Sequence, residues 1–318
     1  MRSYHVLILW GNWALGAAVL CTAGCTTKFT DPPGTGSAGT GGSVTQEECR
    51  VTLEAPKLAL FVLAERSVAM NANLGGQVEG NAQYTALDAF FSDESNAGIM
   101  VGAAAWPAKT GDSCTAAAYT SEFQEMSKLP DATIVPALVG TAIFDGEPSN
   151  QGVLVAAHAA AGAYADAHPD SISDVVFLVS GFGGSCGEAR LDDVVERLEL
   201  ATDAGTRTWI VAGQALSGDE HEQLAAAGGG KKLSPQRETA LSQLPKEARA
   251  CRYVLPAGAN GPRYGGTSLV EVADASVCGS EATQQYFLNS QGHIELCPAT
   301  CSAVGLQKLV ATTACDDQ

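Results

Sequence analysis

Leu58 to Met70 reads LALFVLAERSVAM, and the character of this stretch sets the fold class expected for the whole chain. It opens as an almost unbroken apolar run after Pro56, too short to cross a membrane. A run of that length without polar alternation predicts a strand buried on both faces, as in the middle of a parallel sheet. The run stops at Glu65-Arg66-Ser67, so polar side chains emerge where the strand leaves the core. In open α/β sheets ligands gather at the carboxyl ends of strands, which makes this the first place to seek function.

Outward from that strand, helical and apolar segments alternate. Tyr84 to Phe91 has helical spacing, with Leu87, Phe90 and Phe91 on one side. Gly98 to Trp106 predicts a second buried strand ending at Pro107, and Tyr119 to Lys128 a short helix stopped by Leu129-Pro130. Gln151 to Ala167 is a long Ala-rich helix, ended by His168-Pro169 because proline disfavours helical geometry before it. Asp174 to Ser180 is a third buried strand, and Thr206 to Gly213 a fourth. The helix between them, Asp192 to Ala204, has Gly205 as its C-cap. Gly218 to Ala227 is a further helix, closed by three glycines. Strands spaced by helices predict an α/β fold: a doubly wound, mostly parallel sheet with helices on both faces. Past Pro245 the rhythm fades, and a small disulfide-stapled, β-rich C-terminal extension is expected.

The chain has 318 residues, enough for one sizeable α/β domain and an appendage. Its formal net charge of −17 argues against nucleic acid as a partner, because phosphates would be repelled. At the front, Arg2 precedes the uncharged apolar stretch Val6 to Leu20, the pattern of an export signal over 1–24. Thr22-Ala23-Gly24-Cys25 resembles a bacterial lipobox, which implies lipidation of Cys25 and anchoring at the cell envelope, the outer membrane being the expected site. An ordinary cleaved signal and an uncleaved anchor are the alternatives. Residues 25–52, with PPGTGSAGTGGS inside, predict a flexible tether. The domain body is then expected over 53–245 and the extension over 246–318.

Beyond Cys21 and Cys25 the chain holds eight cysteines: Cys49, Cys114, Cys186, Cys251, Cys278, Cys297, Cys301 and Cys315. An even set in an exported chain predicts disulfides, whose connectivity the sequence leaves open. Zinc at Cys297, Cys301 and His293 is the rival reading, but a four-residue cysteine step does not suit a zinc knuckle. Gly181-Phe182-Gly183-Gly184 lacks the spacing and the Lys-Ser/Thr pair of a phosphate loop, so it predicts a tight turn. Ser180 could serve as a nucleophile with His158 or His221 as base, yet it lacks a GxSxG elbow and both histidines fall within predicted helices.

Taken in order and spacing, four segments resemble a von Willebrand factor A-type (VWA) domain of the bacterial lipoprotein kind. They are Val62 to Met70, Gly146 to Ser149, Val176 to Gly181, and Thr208 to Gly213 with Leu224 to Gly229. Cys251 to Pro256 and Cys297 to Cys301 resemble the cysteine-rich ending of the same group. The resemblance implies a divalent-metal adhesion site at the sheet's carboxyl edge, built from oxygen ligands. In this chain the site's rim would be Glu65, Ser67, Ala69, Glu147, Ser149 and Ser180. Glu65 stands for the first Asp, Ala69 has no ligand atom where the second Ser belongs, and Ser180 replaces the last Asp. Such a set should hold Mg²⁺ or Ca²⁺ weakly or not at all, so no cofactor is expected. The function this implies is a non-enzymatic envelope module binding a protein or wall polymer through that edge. A metal-assisted hydrolase using Glu65 and Glu147, or a purely structural envelope lipoprotein, are the alternatives.

Overall fold

The computed structural model describes residues 48–318 except 72, 75–76, 109–113, 120–121, 140–149, 182–189, 214–215, 257, 265–266, 290, 305–308 and 315–318. The expected signal, Cys25, Glu147, Ser149, Cys186 and Cys315 lie outside the described residues. The first element among the described residues, β1 (Glu48–Thr52), falls within the stretch expected as tether over 25–52. The apolar run becomes β2 (Lys57–Glu65), buried throughout from Leu58 to Glu65. A short antiparallel hairpin, β3 (Asn73–Leu74) and β4 (Gln77–Val78), leads into α1 (Glu79–Ser92).

Next come β5 (Met100–Trp106), β6 (Ser127–Lys128), α2 (Ile134–Val139), α3 (Asn150–Ala167) and β7 (Ser171–Val179). They are followed by α4 (Leu191–Asp203), β8 (Thr208–Ala212), α5 (Gly218–Ala227) and α6 (Arg237–Arg249). The central sheet has the order β6-β5-β2-β7-β8. β5, β2, β7 and β8 are parallel neighbours, and β6 joins β5 antiparallel. Successive side chains of a strand point to opposite faces, and β2 divides its core accordingly. Leu58, Leu60, Val62 and Ala64 pack with α1, α2 and α6, whereas Phe61 and Leu63 pack with α3, α4 and α5.

Two local expectations change. The helix expected over Tyr119 to Lys128 is a 3-10 turn, Ala116–Tyr119, followed by the edge strand β6. Tertiary packing overrides helical propensity here. Phe123 meets Phe61 edge-on, and the Met126 sulfur lies where a β-carbon on Gly102 would clash, at 2.7 Å. The second change is α6, a helix absent from the expected elements although Ala240, Leu241, Leu244 and Ala248 are buried at helical spacing. Pro245 lies inside it, and the break read from that proline is overridden by burial of this face against the sheet.

The remaining chain forms β9 (Arg252–Tyr253), β10 (Ala259–Tyr264), β11 (Thr267–Ser268), β12 (Val270–Glu271), β13 (Gln285–Leu288), β14 (Ile294–Leu296), α7 (Pro298–Val304) and β15 (Val310–Ala314). One four-stranded sheet, β1-β15-β10-β11, is antiparallel throughout. A second, β12-β13-β14-β9, mixes one parallel with two antiparallel pairings.

A doubly wound, mostly parallel sheet of the VWA type is therefore not the architecture of this chain. The fold is a mixed α/β assembly, in which a five-stranded mixed sheet is accompanied by two further four-stranded sheets and the hairpin β3-β4 among the described residues. The physical reason lies in the connections: parallel pairing needs a long crossover, whereas short turns return a strand antiparallel to its neighbour. From Arg252 onward most connections are short, the longer one from β12 to β13 giving the single parallel pair there, and β1 pairs with β15 rather than with β2.

Disulfides join Cys251 to Cys301 and Cys278 to Cys297. Cys114 is also disulfide-bonded. With both thiols of Cys297 and Cys301 consumed, neither is a zinc ligand. The second tie is ionic. Asp174 of β7 accepts two 2.9 Å hydrogen bonds from Arg252 Nη1 and a 2.8 Å bond from the Trp209 indole. Arg252 also faces Glu295 at 3.6 Å, and Glu295 pairs with Arg207. Burial, with Arg252 beside it, pulls the Arg207 guanidinium down to about 9. His293 adds a 2.9 Å bond to the Pro169 carbonyl.

Removing one partner of a buried ion pair strands the other charge at a cost of about 3–5 kcal/mol. Arg252→Ala is expected to lower unfolding stability in urea by that amount. The double variant Asp174→Leu with Arg252→Met should recover a large part of it; an Arg252→Ala loss no greater than that of a surface substitution would show that the pair anchors nothing.

Candidate functional site

The tips of β2, β5, β7 and β8 share one edge of the central sheet. Glu65 ends β2 and is fully buried. Its Oε1 accepts from the Ser67 hydroxyl at 2.5 Å, and its Oε2 accepts from the Ser180 backbone N–H at 2.6 Å. Ser67 and Ser180 are buried as well. The structure thus brings together three of the six expected rim residues. Ala69 lies in the 3-10 turn Val68–Asn71 that follows, and Glu147 and Ser149 are outside the described residues.

Burial raises the Glu65 carboxyl above its ordinary value, and the hydrogen bonds from Ser67 and Ser180 and the Arg237 charge offset this only in part. The surroundings are equally closed. Gln83 of α1 donates to the Glu65 carbonyl at 2.8 Å. The buried Arg66 reaches the Pro107 carbonyl at 2.7 Å and Glu122 at 3.4 Å, while its backbone N–H meets Trp106. Tyr84, beside Arg66 and Glu65, is pushed up to about 12 by burial. Arg237 of α6 pairs with Glu79 of α1, both buried. Gly213, just past β8, lets these groups meet: a β-carbon there would lie 2.6 Å from Ser180 Cα and 2.8 Å from Arg237 Nη2.

A hard cation demands several correctly placed, available oxygens. Here one oxygen of Glu65 faces a hydroxyl and the other a backbone N–H, so the carboxylate is spent on the protein's own donors. The described residues do not fit a resident divalent ion. Sealed in this way, Glu65 is also not presented as a general base to a substrate. As for Ser180, its Oγ has no hydrogen-bond partner among the described residues. His158 of α3 is occupied by Thr208 Oγ1 at 2.9 Å, and burial pulls its imidazole down to about 4. No nucleophile–base pair is formed at this edge among the described residues.

What the cluster does is tie elements together. Glu65 links the tips of β2 and β7, and the Glu79–Arg237 pair joins α1 to α6. Gln83, Glu79, Gly213 and Arg237 were not singled out in the sequence. The usable signal for Gly213 was its place directly after a buried strand; for Arg237 it was the helical periodicity of Ala240, Leu241 and Leu244.

No family model and no curated protein matches the chain. Among solved structures it is similar to the pilus adhesin SpaC from Lactobacillus rhamnosus GG, with 12% identity and a TM-score of 0.41, covering 63% of this chain and 31% of that one. An open-conformation structure of the same adhesin gives 13% identity, a TM-score of 0.37 and coverage of 83% and 40%. Proximal thread matrix protein 1 from the mussel byssus is similar at 11% identity and a TM-score of 0.42, over 64% of this chain and 50% of that one. This chain therefore spans half or less of each of these proteins, and at such scores the likeness assigns neither family nor activity.

Two outcomes are expected. Because the folded-state value of Glu65 is raised, the folded protein holds that proton to higher pH than the unfolded chain does. Stability supplied by the protonated form is lost as pH rises through the ordinary carboxylate value toward the raised one. Glu65→Gln should therefore gain stability relative to the wild type as pH rises, and the two should converge in acid; urea titrations across that range check the sign. Gly213→Ala should cost about 1–3 kcal/mol, since overpacking a closed site displaces backbone rather than a flexible side-chain end, as chemical denaturation would show.

Proposed function

We propose that this chain is a non-enzymatic, cell-envelope-tethered interaction module. It binds a protein or wall polymer through the loops at the carboxyl edge of the central sheet, without a metal ion. The observation that carries this reading is the Glu65 carboxylate, whose two oxygens are met by Ser67 and Ser180. A carboxylate used internally braces strand tips and leaves the surrounding loop surface to make contacts. Glu65, Ser67 and Ser180 are buried, so in this reading they support the surface rather than touch the partner. Export and lipidation at Cys25 would supply the tether, and the two cysteine bridges fit the oxidising compartment that export implies.

The test is a pull-down of envelope proteins and wall fragments by the full chain, with and without EDTA. A parallel variant has residues 182–189 replaced by a Gly/Ser linker, which leaves the buried Arg66, Ser67 and Met70 in place. Partners are expected to survive EDTA and to be lost with the loop. Release by chelator would overturn the metal-free reading, and an unchanged partner set after loop replacement would overturn the assignment to this edge.

A further inference from the structure

Among the described residues, β1 carries the longest exposed sheet edge. It flanks the sheet β1-β15-β10-β11 and pairs on one side only, with β15. The other outer strands differ: β3, β4, β6, β9, β11 and β12 are two residues long, and β8 is buried throughout. β1 runs for five residues, Glu48–Thr52, with no bulge in its register against β15. A regular, uncovered edge is a template for one more strand.

The alternation of an antiparallel ladder decides which groups this edge presents. Just past β1, the Leu53 N–H donates to the Leu309 carbonyl at 2.9 Å, in the continuing register. Leu53 and Leu309 are therefore a hydrogen-bonded pair, and alternation assigns Val51 and Cys49 to bonds with β15. Glu48, Arg50 and Thr52 turn their backbone N–H and C=O outward. The far side of β15 agrees with this. Ala311 stands opposite Pro262 of β10, a residue with no N–H to give, as suits a position where Ala311 spends its own groups on β1. Arg50 and Thr52 are exposed, and their backbone groups meet no partner among the described residues.

Charge along the edge selects the occupant. When two β1 strands meet antiparallel, outward residues must face outward residues, so only alternate registers close a ladder. Arg50 opposite Arg50, or Glu48 opposite Glu48, sets like charges face to face, which is unfavourable. Arg50 opposite Thr52 leaves the arginine unmatched. One register places Glu48 opposite Arg50 of the second copy and Arg50 opposite its Glu48, with the two-fold axis at position 49. Each of these two facings exchanges a pair of backbone hydrogen bonds.

We propose that β1 is a self-association edge: two copies of this chain join antiparallel along Glu48–Thr52 and merge their four-stranded sheets into one. The interface stands independently of the edge-loop reading, because β1 belongs to a different sheet from β2, β5, β7 and β8.

Sedimentation velocity of the full chain from about 5 to 500 µM tests it, since a pairing of this size is weak, with Kd on the order of 100 µM. Dimer should accumulate across that range. Glu48→Arg sets arginine against Arg50, and Arg50→Glu sets glutamate against Glu48. Each variant alone should dimerise at least ~10-fold more weakly. An equimolar mixture of the two should dimerise as the wild type does, because every mixed pair regains both opposite-charge facings. Arg50→Pro removes one outward N–H and none of the bonds to β15, so it should stay folded and monomeric; it decides should a charge variant fail to fold. The proposal is overturned by a wild type that stays monomeric throughout, or by single variants or an Arg50→Pro chain that associate as the wild type does. A mixture that associates no more tightly than either variant alone overturns it as well.

Discussion

Asp174 is the constraint around which the molecule is assembled. A carboxylate in the middle of a parallel strand, at 1% exposure, is tolerable only if its charge is met by fixed donors. None of the neighbouring central-strand backbones can supply a cation, so the chain brings Arg252 back from beyond α6 and adds the Trp209 indole. Arg252 in turn requires Glu295, and Glu295 holds Arg207. The cysteine-rich segment is therefore an obligatory part of the fold: it carries the countercharge of the central sheet. The disulfide from Cys251, next to that arginine, fixes the segment in which it sits.

At the other end of the strands a second buried carboxylate is handled differently. Glu65 receives a hydroxyl and a backbone N–H rather than a full cation, and Arg237 acts on it only through space because it is committed to Glu79. The result is an edge whose strand tips are tied to one another through buried groups. Both ends show one economy: buried acids are used as ties between elements distant in sequence, Glu65 to Ser180 and Asp174 to Arg252.

The central strands were legible because their apolar runs are continuous, and Leu58–Leu63 and Val175–Val179 could hardly be anything else. The helices α1, α3, α4 and α5 were legible from spacing, and their ends from Gly205 and Pro169. The sheets formed by β1 and β9 to β15 were not. Their strands are two to six residues long, and pieces such as Thr267–Ser268 carry no period at all; long-range pairing alone makes them strands. The same limit applies to the site. Glu65, Ser67 and Ser180 could be marked by their place at strand tips. That the carboxylate turns inward, and that Arg237 and Gly213 close over it, depends on α6, whose Pro245 hid it.

The pairing of β1 with β15 has a mechanical meaning. The chain enters the folded unit through Glu48–Thr52, and this strand lies beside Val310–Ala314, which β10 flanks on its other side. A pull on the leading chain directed along β1 loads those five paired residues simultaneously, as shear, instead of peeling them apart one after another. Because the gripped neighbour is an inner strand, the tug spreads into a whole sheet. A protein held by its leading segment in flowing liquid would resist being stripped open at that seam.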